Sequence, residues 1–274
     1  MNVMVTGAAG GLGRALACEC ARRGYNLFLT DVNAQGLRPI QQGLERQYGI
    51  TAAAKACDLT QSCSVDEMLS VIDQQGIRFD MLLNIAGLDY EGCFTGRERE
   101  EIVEIVTLND AATLRITHAI LQRRRPRRRF TIVIVSSLAS MFPMPLKATY
   151  AASKRFLLDF ATSLRQELKT QDANVMAFCP GGMATTKEAM EGIAAQGFWG
   201  DATTNALEVV ARRTLDHALA GKAVYVPGWL NRTLSFLGKV IPRSWVAAFV
   251  YHRWIKAQKK WMSAADVAEE CPAK

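Results

Sequence analysis

Tyr150 and Lys154 are four residues apart, so within a helix they share one face. A phenol titrates at about 10, too high for an efficient base near neutrality, and an ammonium beside it favours the ionised form. The pair is therefore suited to proton exchange with a substrate oxygen, Tyr150 as the acid or base and Lys154 lowering its pKa. A lone Y-x-x-x-K also fits a solvated helix face; what gives this pair meaning is its register with Ser137, thirteen residues upstream. Ser137 follows the apolar run FTIVIVS, and its hydroxyl can hydrogen-bond a reacting carbonyl or alkoxide without acting as a nucleophile. Ser136, its neighbour, points to the other side. A second constellation is Thr6-Gly7-Ala8-Ala9-Gly10-Gly11-Leu12-Gly13, directly after the first apolar run. Glycines there let the backbone approach a pyrophosphate, and the following helix offers free N–H groups and its positive dipole end to the anion. The spacing is G-x-x-x-G-x-G rather than G-x-G-x-x-G. Asp31 stands 18 residues after Gly13, where a carboxylate accepts hydrogen bonds from an adenosine ribose and repels a 2′-phosphate. NAD is thus favoured over NADP.

These groups must be held by a sheet. Short β-type runs at 3–5, 26–30, 51–57, 80–86, 130–136, 174–180 and 223–226 alternate with helical patterns at 12–24, 33–48, 62–76, 96–122, 149–170 and 205–220. Seven strands alternating with helices imply an α/β fold: one doubly wound domain with a parallel sheet covered on both faces. In such a sheet Ser137 and the glycine loop emerge at the carboxyl ends of their strands, where ligands bind. The domain is expected over 1–228. Residues 229–274 form a helical extension of it, amphipathic and broken near Pro242.

Composition narrows the alternatives. Of 274 residues 49% are apolar and 22% charged, enough for a sizeable core, which excludes disordered and collagenous chains. The net charge of +7 rests on six arginines between Arg123 and Arg129; removing them leaves an excess of one. The basicity is therefore local and argues against a nucleic-acid-binding surface. Seven irregularly spaced cysteines point to free thiols in a reducing compartment, and no stretch reaches the roughly 18 apolar residues of a spanning helix, so a cytoplasmic location is expected. Cys18 and Cys20 face different ways on a helix, and no metal site is expected. A serine-hydrolase reading fails because G-x-S-x-G is absent and His118, His217 and His252 have no motif context.

The ordered set formed by the glycine loop, Asn84-Ile85-Ala86-Gly87, Ser137, Tyr150-x-x-x-Lys154 and Pro180-Gly181 resembles the short-chain dehydrogenase/reductases over roughly residues 1–226. The resemblance implies a Rossmann fold, a nicotinamide cofactor and oxidation of an alcohol or reduction of a ketone. It implies that Lys154 holds the nicotinamide ribose and that Asn109 interrupts its helix to fix a water linking Lys154 to solvent. It also places cofactor contacts at Thr6, Gly7, Gly11, Leu12, Gly13, Asp31, Asp58, Leu59, Ala86, Gly87, Tyr150, Pro180, Gly181, Met183 and Thr185, with Asn84 bracing the central strands. Ile85 stands where the family commonly repeats asparagine. The arginine cluster falls at the amino end of the sheet, away from the site, as a solvated or subunit-contacting loop.

For substrate, the segment LASMFPMPLKAT between Ser137 and Tyr150 and the later Met183, Met190, Ile193, Phe198 and Trp199 suit an apolar alcohol or ketone. Leu88, Ser137, Met144, Tyr150, Phe198 and Trp199 are the expected substrate contacts, and a hydroxysteroid or other lipidic alcohol the expected class. The tail around Pro227-Gly228-Trp229 is similar to an extension of a subset of the family that includes hydroxysteroid and long-chain acyl reductases. It is expected to cap the cleft, pack on a second subunit of a homo-oligomer or touch a membrane, in that order. The competing classes are a catalytically silent dinucleotide-binding sensor and a 3-oxoacyl-type reductase.

Overall fold

The computed structural model describes residues 1–183 and 206–261. Strands β1 (Asn2–Thr6), β2 (Asn26–Asp31), β3 (Ala52–Ala56), β4 (Met81–Asn84), β5 (Phe130–Val135), β6 (Ala173–Phe178) and β7 (Val224–Tyr225) form one sheet in the order β3-β2-β1-β4-β5-β6-β7. All pairs are parallel. Helices α1 (Gly11–Arg22), α2 (Ala34–Tyr48), α3 (Ser62–Gln74), α4 (Arg99–Val106), α5 (Thr113–Leu121), α6 (Ala148–Glu167) and α7 (Leu207–Leu219) provide the crossovers, and α8 (Trp229–Val240) and α9 (Arg243–Trp261) follow β7.

Because a strand's side chains alternate between faces, each strand feeds two cores. Val3, Val5, Val133 and Val135 join α1, α2 and α7 on one face, through Leu16, Leu37 and Leu215. Met4, Ile132 and Ile134 join α3, α5 and α6 on the other, through Met68, Ile116 and Leu157. Burial on both sides explains the near-continuous apolar runs. The order reverses between β1 and β4, so their carboxyl ends open the crevice in which such sheets bind ligands.

Two expectations change. The helix expected over 96–122 is divided: α4 ends at Val106, a π-helical turn spans Thr107–Ala112, and α5 resumes at Thr113. Free thiols are found at Cys18, Cys20, Cys57, Cys63 and Cys179, but Cys93 is disulfide-bonded. The arginine cluster lies at the amino end of the sheet, and several of its members are engaged. Arg123 grips the Asp73 carboxylate through two hydrogen bonds (2.9 and 2.6 Å), Arg125 Nε lies 3.5 Å from Asp80, and Arg124 donates to Gln171 at 3.3 Å. Among the described residues no helix is long and apolar enough to cross a membrane, and no group of three His, Cys, Asp or Glu could hold a metal ion.

Candidate active site

The glycine loop turns from β1 into α1 so tightly that side chains are excluded. Gly7 takes φ +64°, and a Cβ there would fall 2.9 Å from the Ala86 backbone; a Cβ on Gly13 would fall 1.9 Å from the Gly7 carbonyl oxygen. Thr6 Oγ1 fastens the loop to the β4 exit by accepting from the N–H groups of Ile85 (2.9 Å) and Ala86 (3.2 Å). No side chain caps α1, whose first turn holds Gly11, Leu12 and Gly13, so its leading N–H groups remain available to an anion. The uncapped helix start at the end of this tight turn fits a dinucleotide pyrophosphate. Asp31, at the end of β2, accepts from the N–H groups of Ala9 and Asn33, both at 2.9 Å, which holds its carboxylate beside the loop. Asp58 accepts from Thr60 N (2.9 Å) and Thr60 Oγ1 (2.6 Å), with Leu59 buried next to it. Pro180 O accepts from Leu138 N at 2.7 Å, joining the exits of β5 and β6, and Met183 packs on the core beyond Gly181. Asn84 braces β4 against α5 by donating to Thr117 Oγ1 at 2.8 Å. Thr185, Met190, Ile193, Phe198 and Trp199 lie outside the described residues.

Ser137, Tyr150 and Lys154 converge at the same end of the sheet. Ser137 sits at the exit of β5, and its side chain lies close enough to the Tyr150 hydroxyl to ease its ionisation. Ser136 is instead buried and donates to the Lys154 carbonyl at 2.6 Å, so of the two serines Ser137 reaches the site. Lys154 Nζ donates to Val135 O at 3.1 Å and lies 5.6 Å from the centre of the Tyr150 ring. A Cβ on Gly87 would meet Asn109 Oδ1 at 2.9 Å and Lys154 Nζ at 3.2 Å, so Gly87 is where these two residues meet.

Asn109 occupies the π-helical turn, and its side chain is fully used. Oδ1 accepts from Leu88 N (2.8 Å), while Nδ2 donates to Leu88 O (3.0 Å) and to Ser153 Oγ (3.0 Å). Ser153 in turn donates to Tyr150 O at 2.8 Å. Asn109 thus pins the strand exit at Leu88 to α6, and a relay role would have to use its backbone carbonyl.

The electrostatics correct one expectation. Burial pushes the Tyr150 hydroxyl up to about 12, Asp89 adds to this, and the Ser137 hydrogen bond and Lys147 ammonium only partly oppose it. Lys154 does not lower it: burial pushes Lys154 itself down to about 8, with Asp110, Asp89 and Cys179 opposing. Tyr150 is therefore a protonated donor near neutrality. Asp110, next to Asn109, was absent from the expected set. It is buried, its Oδ1 has no hydrogen-bond partner, and burial lifts its carboxyl to about 7 despite the attraction of Lys154. An acid inside the apolar stretch EIVEIVTLNDAATL was the available signal.

A pocket of about 240 Å3 opens beside Tyr150, lined among others by Tyr90, Phe94, Ile105, Leu146, Lys147 and Tyr251. Leu146 holds φ +66°, a costly left-handed conformation for a branched side chain, next to the catalytic helix. Of the expected substrate contacts among the described residues, only Tyr150 lines this pocket. Leu88 meets Asn109 through its backbone, Ser137 faces Tyr150, and Met144 is half-buried nearby. Met141 belongs to the core, and Phe142 packs on Gly238 of α8. Lys147 Nζ is held by Asp89 (2.6 Å) and Glu91 (3.2 Å), 5.5 Å from the Trp254 ring. Tyr251 brings α9 to one side of this pocket, and Trp254 lies beside its Lys147.

The sequence profile described as short chain dehydrogenase matches residues 1–194. The chain belongs to the short-chain dehydrogenase family. Among curated relatives, a very-long-chain 3-oxoacyl-CoA reductase of Pyrenophora tritici-repentis is 32% identical over 172 residues, covering 61% of this chain and 50% of the relative. This short-chain dehydrogenase thus spans about half the length of the curated relatives it matches. A 3-oxoacyl-[acyl-carrier protein] reductase with bound NAD from Brucella melitensis superposes with a TM-score of 0.71 at 26% identity, covering 83% of this chain and 89% of that one. A 7beta-hydroxysteroid dehydrogenase superposes with a TM-score of 0.81 over 91% of this chain and 96% of that one; at 17% identity it shows the shared fold alone. Members of the family bind nicotinamide cofactors, and the solved neighbours include both NAD and NADPH complexes.

Proposed function

We propose that this protein interconverts a secondary alcohol and its ketone using NAD(H), on a substrate with a bulky apolar body. The observation that carries the reading is the convergence of Ser137, Tyr150 and Lys154 beside a tight glycine turn whose helix leaves its first N–H groups uncapped. When bound, the nicotinamide supplies or accepts the hydride at the carbonyl carbon. Ser137 hydrogen-bonds the carbonyl oxygen and orients it towards Tyr150. The Tyr150 hydroxyl, protonated near neutrality, gives its proton to that oxygen during reduction and recovers it in oxidation. Lys154, buried at the floor of the site, holds the ribose, and Ser137 and Lys147 are the groups that ease ionisation of Tyr150. Asp31 favours NAD by accepting from ribose hydroxyls and repelling a 2′-phosphate.

The rings and aliphatic chains of Tyr90, Phe94, Ile105, Leu146 and Tyr251 support an apolar substrate, steroid ketone or lipidic alcohol. A second reading, reduction of a long-chain 3-oxoacyl thioester, is supported by the names of the curated relatives. Exposed apolar side chains on α4, α5 and α6 (Val103, Val106, Leu114 and Phe156) support assembly as a homo-oligomer. A cytoplasmic setting belongs to the same proposal, supported by the five free thiols among the described residues and opposed by the disulfide at Cys93. The test is absorbance at the reduced-nicotinamide band with steroid ketones, long-chain 3-oxoacyl thioesters, medium-chain ketones and sugar alcohols. Turnover confined to apolar carbonyls is the expected result. Preference for sugars would overturn the apolar pocket, and tight dinucleotide binding with no turnover on any carbonyl would favour a silent binding protein.

A further inference from the structure

The outward faces of α8 and α9 carry aromatic rings that the fold leaves unused. Trp229 and Phe236, seven residues apart on α8, are 75% and 66% exposed; Trp245 and Phe249, four apart on α9, are 71% and 66% exposed. These spacings put each pair on one helical stripe, and Ile241 between the helices is exposed as well. The inner sides are already occupied. Asn231 is buried and donates to Pro227 O at 2.9 Å, Gly238 rests on Phe142, and Tyr251 reaches the catalytic pocket. Covering the cleft therefore does not account for the outer rings.

Their charge setting points to the occupant. From Trp229 to Trp261 the chain has seven Lys and Arg and no Asp or Glu. We infer that this face of α8 and α9 docks on a membrane surface rich in anionic phospholipid, its rings at the boundary between headgroups and acyl chains and the exposed Arg232 and Arg243 against the headgroups. A second copy on the same face would set one cationic surface against another across a two-fold axis, which repels. Docking would hold the mouth beside Tyr251 close to the lipid, where an apolar substrate is concentrated. The inference rests on the exposed surface alone and stands whichever carbonyl is reduced.

The full chain should sediment with vesicles of phosphatidylcholine mixed with phosphatidylserine and far less with phosphatidylcholine alone, and the binding should weaken as salt is raised. Tryptophan emission should shift to the blue on binding. Replacing both Trp229 and Trp245 with Ser should lower the partition coefficient by about tenfold, and Arg232→Glu with Arg243→Glu should lower it at least as much. Because all four side chains are exposed, unchanged circular dichroism is expected. Binding that salt abolishes but the tryptophan changes leave intact would mark a general polyanion patch and overturn the docking. So would equal binding to neutral vesicles, no binding to either, or a concentration-dependent dimer that the tryptophan changes dissolve.

Discussion

Replacing Asp110 with Asn removes a buried charge and keeps the shape of the side chain. In the folded chain burial lifts this carboxyl from 3.8 to about 7, so it holds its proton more tightly there than in the unfolded chain. The stability it confers is therefore complete below 3.8 and lost as pH rises through about 7. Three decades of proton affinity correspond to at most roughly 4 kcal/mol. That value already includes the attraction of the Lys154 ammonium, and only the roughly two decades between pH 5 and about 7 fall within the range compared. The stability of Asp110→Asn relative to the native chain should consequently improve by about 2 kcal/mol between pH 5 and pH 8.5. Urea midpoints at the two pH values measure this difference and cancel the titration of groups that Asp110 does not touch. The same change strips Lys154 of the first-ranked group opposing its fall, so the alkaline limb of kcat set by Lys154 should move below about 8. A stability difference flat to within about 0.5 kcal/mol across that range would show that the carboxyl titrates normally, and the account of the Asp110–Lys154 pair would be wrong.

Gly13→Ala should raise the dinucleotide Kd by about tenfold or more and lower Tm, since its Cβ would fall 1.9 Å from the Gly7 carbonyl oxygen; fluorescence titration reads the first, and unchanged values of both would remove the cradle argument. Asn109→Ala leaves Leu88 and Ser153 without their partners and should cost about 2–4 kcal/mol, measured by urea unfolding; a loss of turnover without loss of stability would instead assign Asn109 to chemistry alone. Asp31→Ala should weaken NADH more than NADPH in equilibrium titrations, whereas a native chain that already prefers NADPH by a wide margin would refute the ribose assignment.

Much of this was legible because the decisive features are local. Alternation of apolar strands with amphipathic helices follows from a sheet buried on both faces, and the seven strands fall where periodicity puts them. The thirteen-residue interval from Ser137 to Tyr150 carries the chain from the exit of β5 to the first turn of α6, so spacing alone brings the two together. What escaped the sequence depends on three-dimensional surroundings. The interruption at Asn109 comes from the family resemblance alone, because the π-helical turn at Thr107–Ala112 has ordinary helix-forming neighbours and goes with the long-range fastening of Asn109, Leu88, Ser153 and Tyr150. The rise of the Tyr150 pKa comes from burial and from Asp89, 61 residues away in the chain, neither of which a helical face reveals. Met141 and Phe142 read as pocket lining from their position before Tyr150, yet the short 3-10 turn at Leu138–Ser140 sends Met141 into the core and Phe142 towards α8.

The most direct test of the catalytic account is the turnover of Tyr150→Phe with the best carbonyl substrate, measured beside its dinucleotide affinity. The ring stays and the transferable proton goes, so kcat should fall by roughly 10²–10⁴-fold while the Kd for NADH holds within about twofold. A Phe variant that keeps substantial turnover would show that the proton comes from another group and would contradict the account.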